Sequence, residues 1–184
     1  MTDAKHESKA GPAGTASDAI HDDPGAAPTG VKSPFEPEFT EALCEIFERL
    51  ITFNQVLGLK VDELQHEIVR AHIRMRPDLV GHYAHNRLHG GVISATLDAM
   101  GGLAVMAATG ARHLDEAPQQ RLQRFAKLGT IDLRVDYLRP AIGAVFRCEA
   151  EVMRLGSPGA NTRMPFTDEQ GRLLATGGAA YIVS

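Results

Sequence analysis

Residues 88–102, Leu-His-Gly-Gly-Val-Ile-Ser-Ala-Thr-Leu-Asp-Ala-Met-Gly-Gly, constrain the fold of this chain more than any other stretch. Their spacing predicts a helix that begins near residues 89–91 and ends by Gly110. Val92, Thr96, Ala99, Leu103 and Met106 share one face, with Ile93, Leu97 and Met100 beside it. Nearly every direction around the axis is apolar or small, the mark of a helix buried on all sides. Yet it carries a carboxylate, Asp98, which is costly to bury unless paired or protonated. Gly101 and Gly102 follow, each about 1 kcal/mol less favourable than Ala inside a helix. Something in the fold must need the space.

The flanking sequence reads as what wraps that helix. Before it, Phe39, Leu43, Ile46, Phe47 and Leu50 form one helical stripe that should stop before Gly58, and Ser33-Pro34-x-Glu36 suggests a capping box at its start. Val69, Ala71, Ile73 and Met75 then alternate with Arg70, His72, Arg74 and Arg76, a half-buried strand ending at Pro77, with 59–65 as its hairpin partner. After the helix, 111–127 is a polar, net-basic loop with room for a short helix. Ile131, Leu133, Val135 and Tyr137 alternate with Thr130, Asp132, Arg134 and Asp136, and three further strands are expected at 144–154, 161–167 and 172–183, the last two joined by a turn at 168–171. Pro165 should weaken its strand or place it at a bulge or an edge, because it cannot donate to a ladder. The order is α, β, β, buried α, then four antiparallel strands: an α+β fold, a sheet wrapped around one central helix.

A length of 184 residues suits one domain with a real core. Residues 1–33 have only Met1, Ile20 and Val31 as hydrophobic side chains apart from alanine, so a disordered tail is expected there and a folded unit over 34–184. A net charge of −4 gives no electrostatic footprint for nucleic acid. No uninterrupted apolar run nears about 18 residues, so no membrane span is expected. The N-terminus has no apolar signal core, which points to the cytoplasm. Cys44 and Cys148 are read as small buried hydrophobes rather than a disulfide or metal pair.

Asp98 is the first candidate for chemistry. Its neighbours one turn away are Ser94, Ala95, Gly101 and Gly102, so a reacting group could approach it as a general base or nucleophile requires. His89-Gly90-Gly91 is the second: glycines opening a helix leave N–H groups within reach of a ligand, suited to a carbonyl oxygen gaining negative charge. The nine residues from Gly90 through Asp98 span about 13.5 Å of helix. One chain therefore cannot bring both to one small group, and a site using both requires a homodimer. His82, His85 and His89 lack a zinc-like spacing, and no metal is expected.

These residues resemble the acyl-CoA thioesterases of the hotdog fold, in particular the PaaI-like group. The likeness covers roughly residues 40–184, centres on LHGGVISATLD (88–98), and continues through GTIDLRVDYLRPA (129–141) with Tyr137-x-x-Pro140. It implies a long helix wrapped by an antiparallel sheet, paired into dimers and often into dimers of dimers. It also implies Asp98 as nucleophile or general base on a thioester carbonyl, the Gly90 amide polarising that carbonyl, His89 orienting the thioester, and Thr130 positioning the attacking water. The family's Asn, six or seven residues before the motif His, is replaced here by Tyr83 and His82, leaving His82 or Asn86 to stand in. Coenzyme A would be part of the substrate, with no separate cofactor. Gly91 would lie at the substrate, and Arg139, Arg154 and Arg163 are candidate phosphate contacts. Phe53, Leu57, Leu103, Met106 and Phe125 are candidates to line the acyl tunnel. Two other readings compete: a non-catalytic acyl-CoA-binding protein, and a hotdog hydratase or dehydratase, which the absence of a proline after His89-Gly90-Gly91 disfavours.

Overall fold

The computed structural model describes residues 30–183. Helix α1 (Pro37–Glu45) starts at Pro37, the first-turn position where a missing N–H costs nothing. Its N-cap is Glu36; Ser33 accepts instead from the Phe35 N–H and the Thr40 hydroxyl, so the expected capping box does not form. The expected single helix is also interrupted. A wide π turn over Ile46–Leu50 and a break at Ile51 precede α2 (Thr52–Leu57), which ends at Gly58 in the left-handed region at φ 69°. The extra residue in that turn rotates the stripe, so Phe47 stays buried while Leu50 is 64% exposed.

The hairpin β1 (Lys60–Leu64) and β2 (Ile68–Arg74) forms as the alternation predicts, with Val69, Ala71 and Ile73 buried. A short ribbon, β3 (Val80–His82) with β4 (Arg87–Leu88), was not anticipated; it delivers the chain to α3 (Gly90–Arg112). α4 (Pro118–Gln123) follows, then β5 (Gly129–Tyr137), β6 (Val145–Leu155), β7 (Gly159–Asp168) and β8 (Leu173–Ile182). The main sheet has six strands in the order β1-β2-β6-β7-β8-β5, every pair antiparallel. α3 packs against β2, β5, β6, β7 and β8. This is the hotdog fold. By length and mean apolar character α3 could cross a membrane; two-thirds of its most apolar window is buried within the protein, so it is a core helix.

Pro165 lies in an interior strand, not at an edge. The β6–β7 ladder lapses opposite it, between Cys148↔Phe166 and Glu151↔Arg163, and β7 bulges against β8 between Phe166 and Thr167. Most of the expected 1–33 tail lies outside the described residues; of its end, Lys32 forms a parallel bridge with Glu63. Within the basic loop, Arg121 is fully buried. Its guanidinium pairs with Glu36, sits 4.3 Å over the Phe39 ring, and so fastens α4 to the first helix. Cys44 and Cys148 are buried free thiols, and burial, with Glu48 and Glu41 adding, pushes the Cys44 thiol up to about 12.

Gly101 explains half of the space reserved in α3. A Cβ there would lie 2.1 Å from the Tyr181 hydroxyl, which occupies that position and donates to the Asp98 main-chain carbonyl at 3.0 Å.

Candidate active site

Asp98 sits midway along α3 on the strip that the sheet does not fully cover, among half-buried Ser94, Ala95 and Ala99. The Thr130 hydroxyl donates to Asp98 Oδ1 at 2.8 Å, and among the described residues Oδ2 has no hydrogen-bond partner. One carboxylate oxygen is thus held while the other is free to face a reactant. Beneath it, Tyr181 is 1% exposed, and burial, reinforced by the Asp98 charge, raises its hydroxyl so that it stays a proton donor.

A bulge brings Thr130 to the carboxylate. Strict alternation puts Thr130 on the face opposite Leu133 and Val135. In the β5–β8 pairing, however, Thr130 opposes Tyr181 and the next pair is Asp132↔Ala180, leaving Ile131 as the extra residue. Ile131 is pushed out to 67% exposure, and Thr130 turns to the helix side with Tyr181.

Asp98 and Thr130 border a cavity of about 320 Å³ whose other walls include Phe47, Ile51, Phe53, Gly102, Phe125 and Leu128. Among the described residues Asp98 is its only carboxylate. Of the five residues expected along an acyl tunnel, Phe53 and Phe125 line this cavity; Leu57, Leu103 and Met106 are core side chains instead. The π turn and the break at Ile51, which no local pattern announced, determine which side chains face it.

Gly90 borders a different cavity, of about 480 Å³, together with Arg87, His89, Tyr137 and Arg139. His89 is the N-cap of α3, its Nδ1 accepting the Gly91 N–H at 2.8 Å. The Gly91 amide is therefore engaged, whereas the Gly90 N–H has no partner among the described residues. Tyr137, missed as a site residue although it stood in the quoted Tyr137-x-x-Pro140, donates its hydroxyl to the Gly90 carbonyl at 3.0 Å. Within one chain, then, Gly90 and Asp98 open onto separate cavities.

The remaining candidates scatter. His82 has a buried Nδ1 without a partner and its ring stacks on His85 at 4.8 Å, while Asn86 is an exposed turn residue at φ 45°. Arg139 borders the Gly90 cavity and donates to the Leu173 carbonyl at 2.7 Å. Arg154 lies with Arg112 and His66 in a third cavity, and Arg163 pairs with Glu151 at 2.6 Å. The structure does not gather the three arginines within one chain. Among the described residues no three His, Cys, Asp or Glu side chains cluster as a metal site.

Comparison with known proteins matches residues 85–175 to the thioesterase superfamily. The medium/long-chain acyl-CoA thioesterase YigI of Escherichia coli is 35% identical over 139 residues, covering 76% of this chain and 90% of that protein. A crystal structure from Shewanella oneidensis, described as related to the thioesterase superfamily, superposes with a TM-score of 0.75 at 37% identity, covering 82% of this chain and all of that one. Thioesterase superfamily member 2 of Mus musculus shares the fold, with a TM-score of 0.62 at 20% identity over 79% of this chain and 97% of its own.

Proposed function

This chain belongs to the thioesterase superfamily and is a thioester hydrolase; we propose that it hydrolyses medium- to long-chain acyl-coenzyme A esters at a site shared by two subunits. The observation that carries the proposal is the Asp98 carboxylate, among the described residues the one acid in an apolar cavity, with Oδ1 held by Thr130 and Oδ2 without a partner. The acyl chain occupies that cavity. The polar end of the substrate lies toward Arg87, His89 and Arg139 beside Gly90, where a guanidinium suits a phosphate.

The two halves come together through β5. It is an open edge of the sheet, with Ile131, Tyr137 and Leu138 at least half exposed. Gly90 is tied to the Tyr137 end of this strand and Asp98 to the Thr130 end. A two-fold axis at Arg134 would pair β5 with its copy antiparallel, and the extra residue at Ile131 then sets Tyr137 of one subunit against Thr130 of the other. That pairing carries the partner subunit's Gly90 to Asp98. The partner's free amide then holds the carbonyl oxygen as it gains charge, while Asp98 Oδ2 attacks the carbonyl carbon or takes a proton from the water that does. As a base, Asp98 passes the water's proton to the departing sulfur as the C–S bond breaks, so coenzyme A leaves as the thiol and the hydroxide becomes part of the fatty acid. As a nucleophile, it forms an anhydride with the acyl group as coenzyme A leaves. A water then hydrolyses that anhydride, freeing the fatty acid and the carboxylate and supplying the thiol's proton. No cofactor takes part. Two unpaired buried thiols suit a reducing compartment, and the cytoplasm is the proposed location.

Thiol release from a panel of short, medium, long and aromatic acyl-CoAs, with wild type beside Asp98→Asn, tests this reading. Turnover of medium and long chains that disappears in the variant is expected. A folded dimer silent across the panel would contradict it and favour a protein that binds acyl-CoA without hydrolysing it.

A further inference from the structure

The Gly101-Gly102 pair has two different explanations. Gly101 makes way for the Tyr181 hydroxyl. Gly102 makes way for nothing among the described residues: of these, a Cβ there would meet only Leu128 Cδ2, at 3.6 Å, an ordinary van der Waals contact. Alanine would fit and would strengthen the helix. What the missing side chain does is open the Asp98 cavity, since Gly102 forms part of its wall one turn beyond Asp98, near Phe125 and Leu128.

We propose that Gly102 is a specificity residue that sets the length of acyl chain the Asp98 cavity accepts. The inference rests on the proposed thioesterase reading and on the acyl chain entering beside Asp98. Four residues of helix advance about 6 Å. An extended chain gains roughly 1.2 Å per bond, taking a third of the rise of an extended residue, so a chain reaches Gly102 after about five bonds. Butyryl groups stop short of it. Octanoyl and longer chains pass over its bare Cα toward Phe125 and Leu128.

The test compares Gly102→Ala and Gly102→Leu with wild type against butyryl-, octanoyl- and lauroyl-CoA. The ratio of kcat/KM for lauroyl-CoA to that for butyryl-CoA should fall at least about fourfold for Ala, the value of one lost buried methylene, and about a hundredfold for Leu. Gly102→Ala should also raise Tm by about 2–4 °C, which separates a narrowed channel from a damaged fold. A second readout removes dependence on turnover. In the Asp98→Asn background, the stabilisation that each acyl-CoA gives in thermal unfolding should grow with chain length when residue 102 is Gly and level off beyond butyryl when it is Leu. An unchanged ratio and an unchanged binding profile overturn the role of Gly102, as does a parallel loss at every chain length. Absence of turnover in wild type with the binding profile intact would overturn the thioesterase reading while leaving Gly102 as the ruler of a binding site.

Discussion

Thr130 Oγ1 reaches Asp98 Oδ1 at 2.8 Å only because Ile131 is an extra residue in the β5–β8 pairing. The bulge spends one strand residue on solvent and in return aims a hydroxyl at the carboxylate of a buried helix.

Replacing that hydroxyl should slow the enzyme without unfolding it. For Thr130→Val, kcat should fall about 10–100-fold, up to the lower end of what a group acting directly in acid–base chemistry contributes, with Thr130→Ser near wild type because it keeps the donor. Steady-state kinetics on the best acyl-CoA checks this. An unchanged kcat for Val would leave Thr130 as an ordinary strand residue.

Gly101 should be intolerant where Gly102 is tolerant. A methyl group at 101 overlaps the Tyr181 hydroxyl, and Gly101→Ala should destabilise the protein by about 1–3 kcal/mol, as overpacking does. Adding Tyr181→Phe removes the nearest colliding atom, though the ring Cζ and Met164 Sδ stay within 2.9 Å, and should recover part of that loss. Urea unfolding of the single and double variants measures both effects, and additive losses would contradict the collision.

Asp168 closes the β7–β8 turn, accepting from the Gln170 and Arg172 amides at 3.0 and 2.9 Å and from Arg172 Nε at 2.6 Å. Burial pushes its carboxyl up, but the Arg172 amide and guanidinium and the Gln170 amide outweigh it and hold the group below its ordinary value. A carboxyl lowered in the folded state stabilises at pH values above its unfolded value of about 3.9, and that contribution is lost as pH falls through the folded value. Asp168→Asn should therefore be less stable than wild type at pH 7, with the gap narrowing below about pH 4. A gap independent of pH would show that packing, not charge, holds this turn.

Much of this was legible in the sequence. The α3 stripe, the strand alternation and the Asp168 turn are local patterns, and each set its element within a few residues. Asp98 stood out because a carboxylate among apolar residues needs a reason. The illegible parts depend on pairings between distant segments. Nothing near residue 131 indicates that β8 will force a bulge there, and nothing near residue 46 indicates a π turn. The purpose of Gly101 could be seen only once Tyr181, eighty residues later, was in place. The same is true of Tyr137 on Gly90.

The central claim is that Asp98 of one subunit works with Gly90 of its partner, and complementation tests it most directly. Gly90→Pro removes the amide hydrogen at the first helical position, which proline favours, so the helix survives. That variant and Asp98→Asn are each expected to be inactive alone. Co-expressed, they form mixed dimers in which one site carries both defects and the other carries neither. With random pairing, activity should return to about a quarter of the wild-type value per chain, since half the dimers of a two-fold assembly are mixed. If both residues served a site within one chain, every site in the mixture would remain defective and no activity would return.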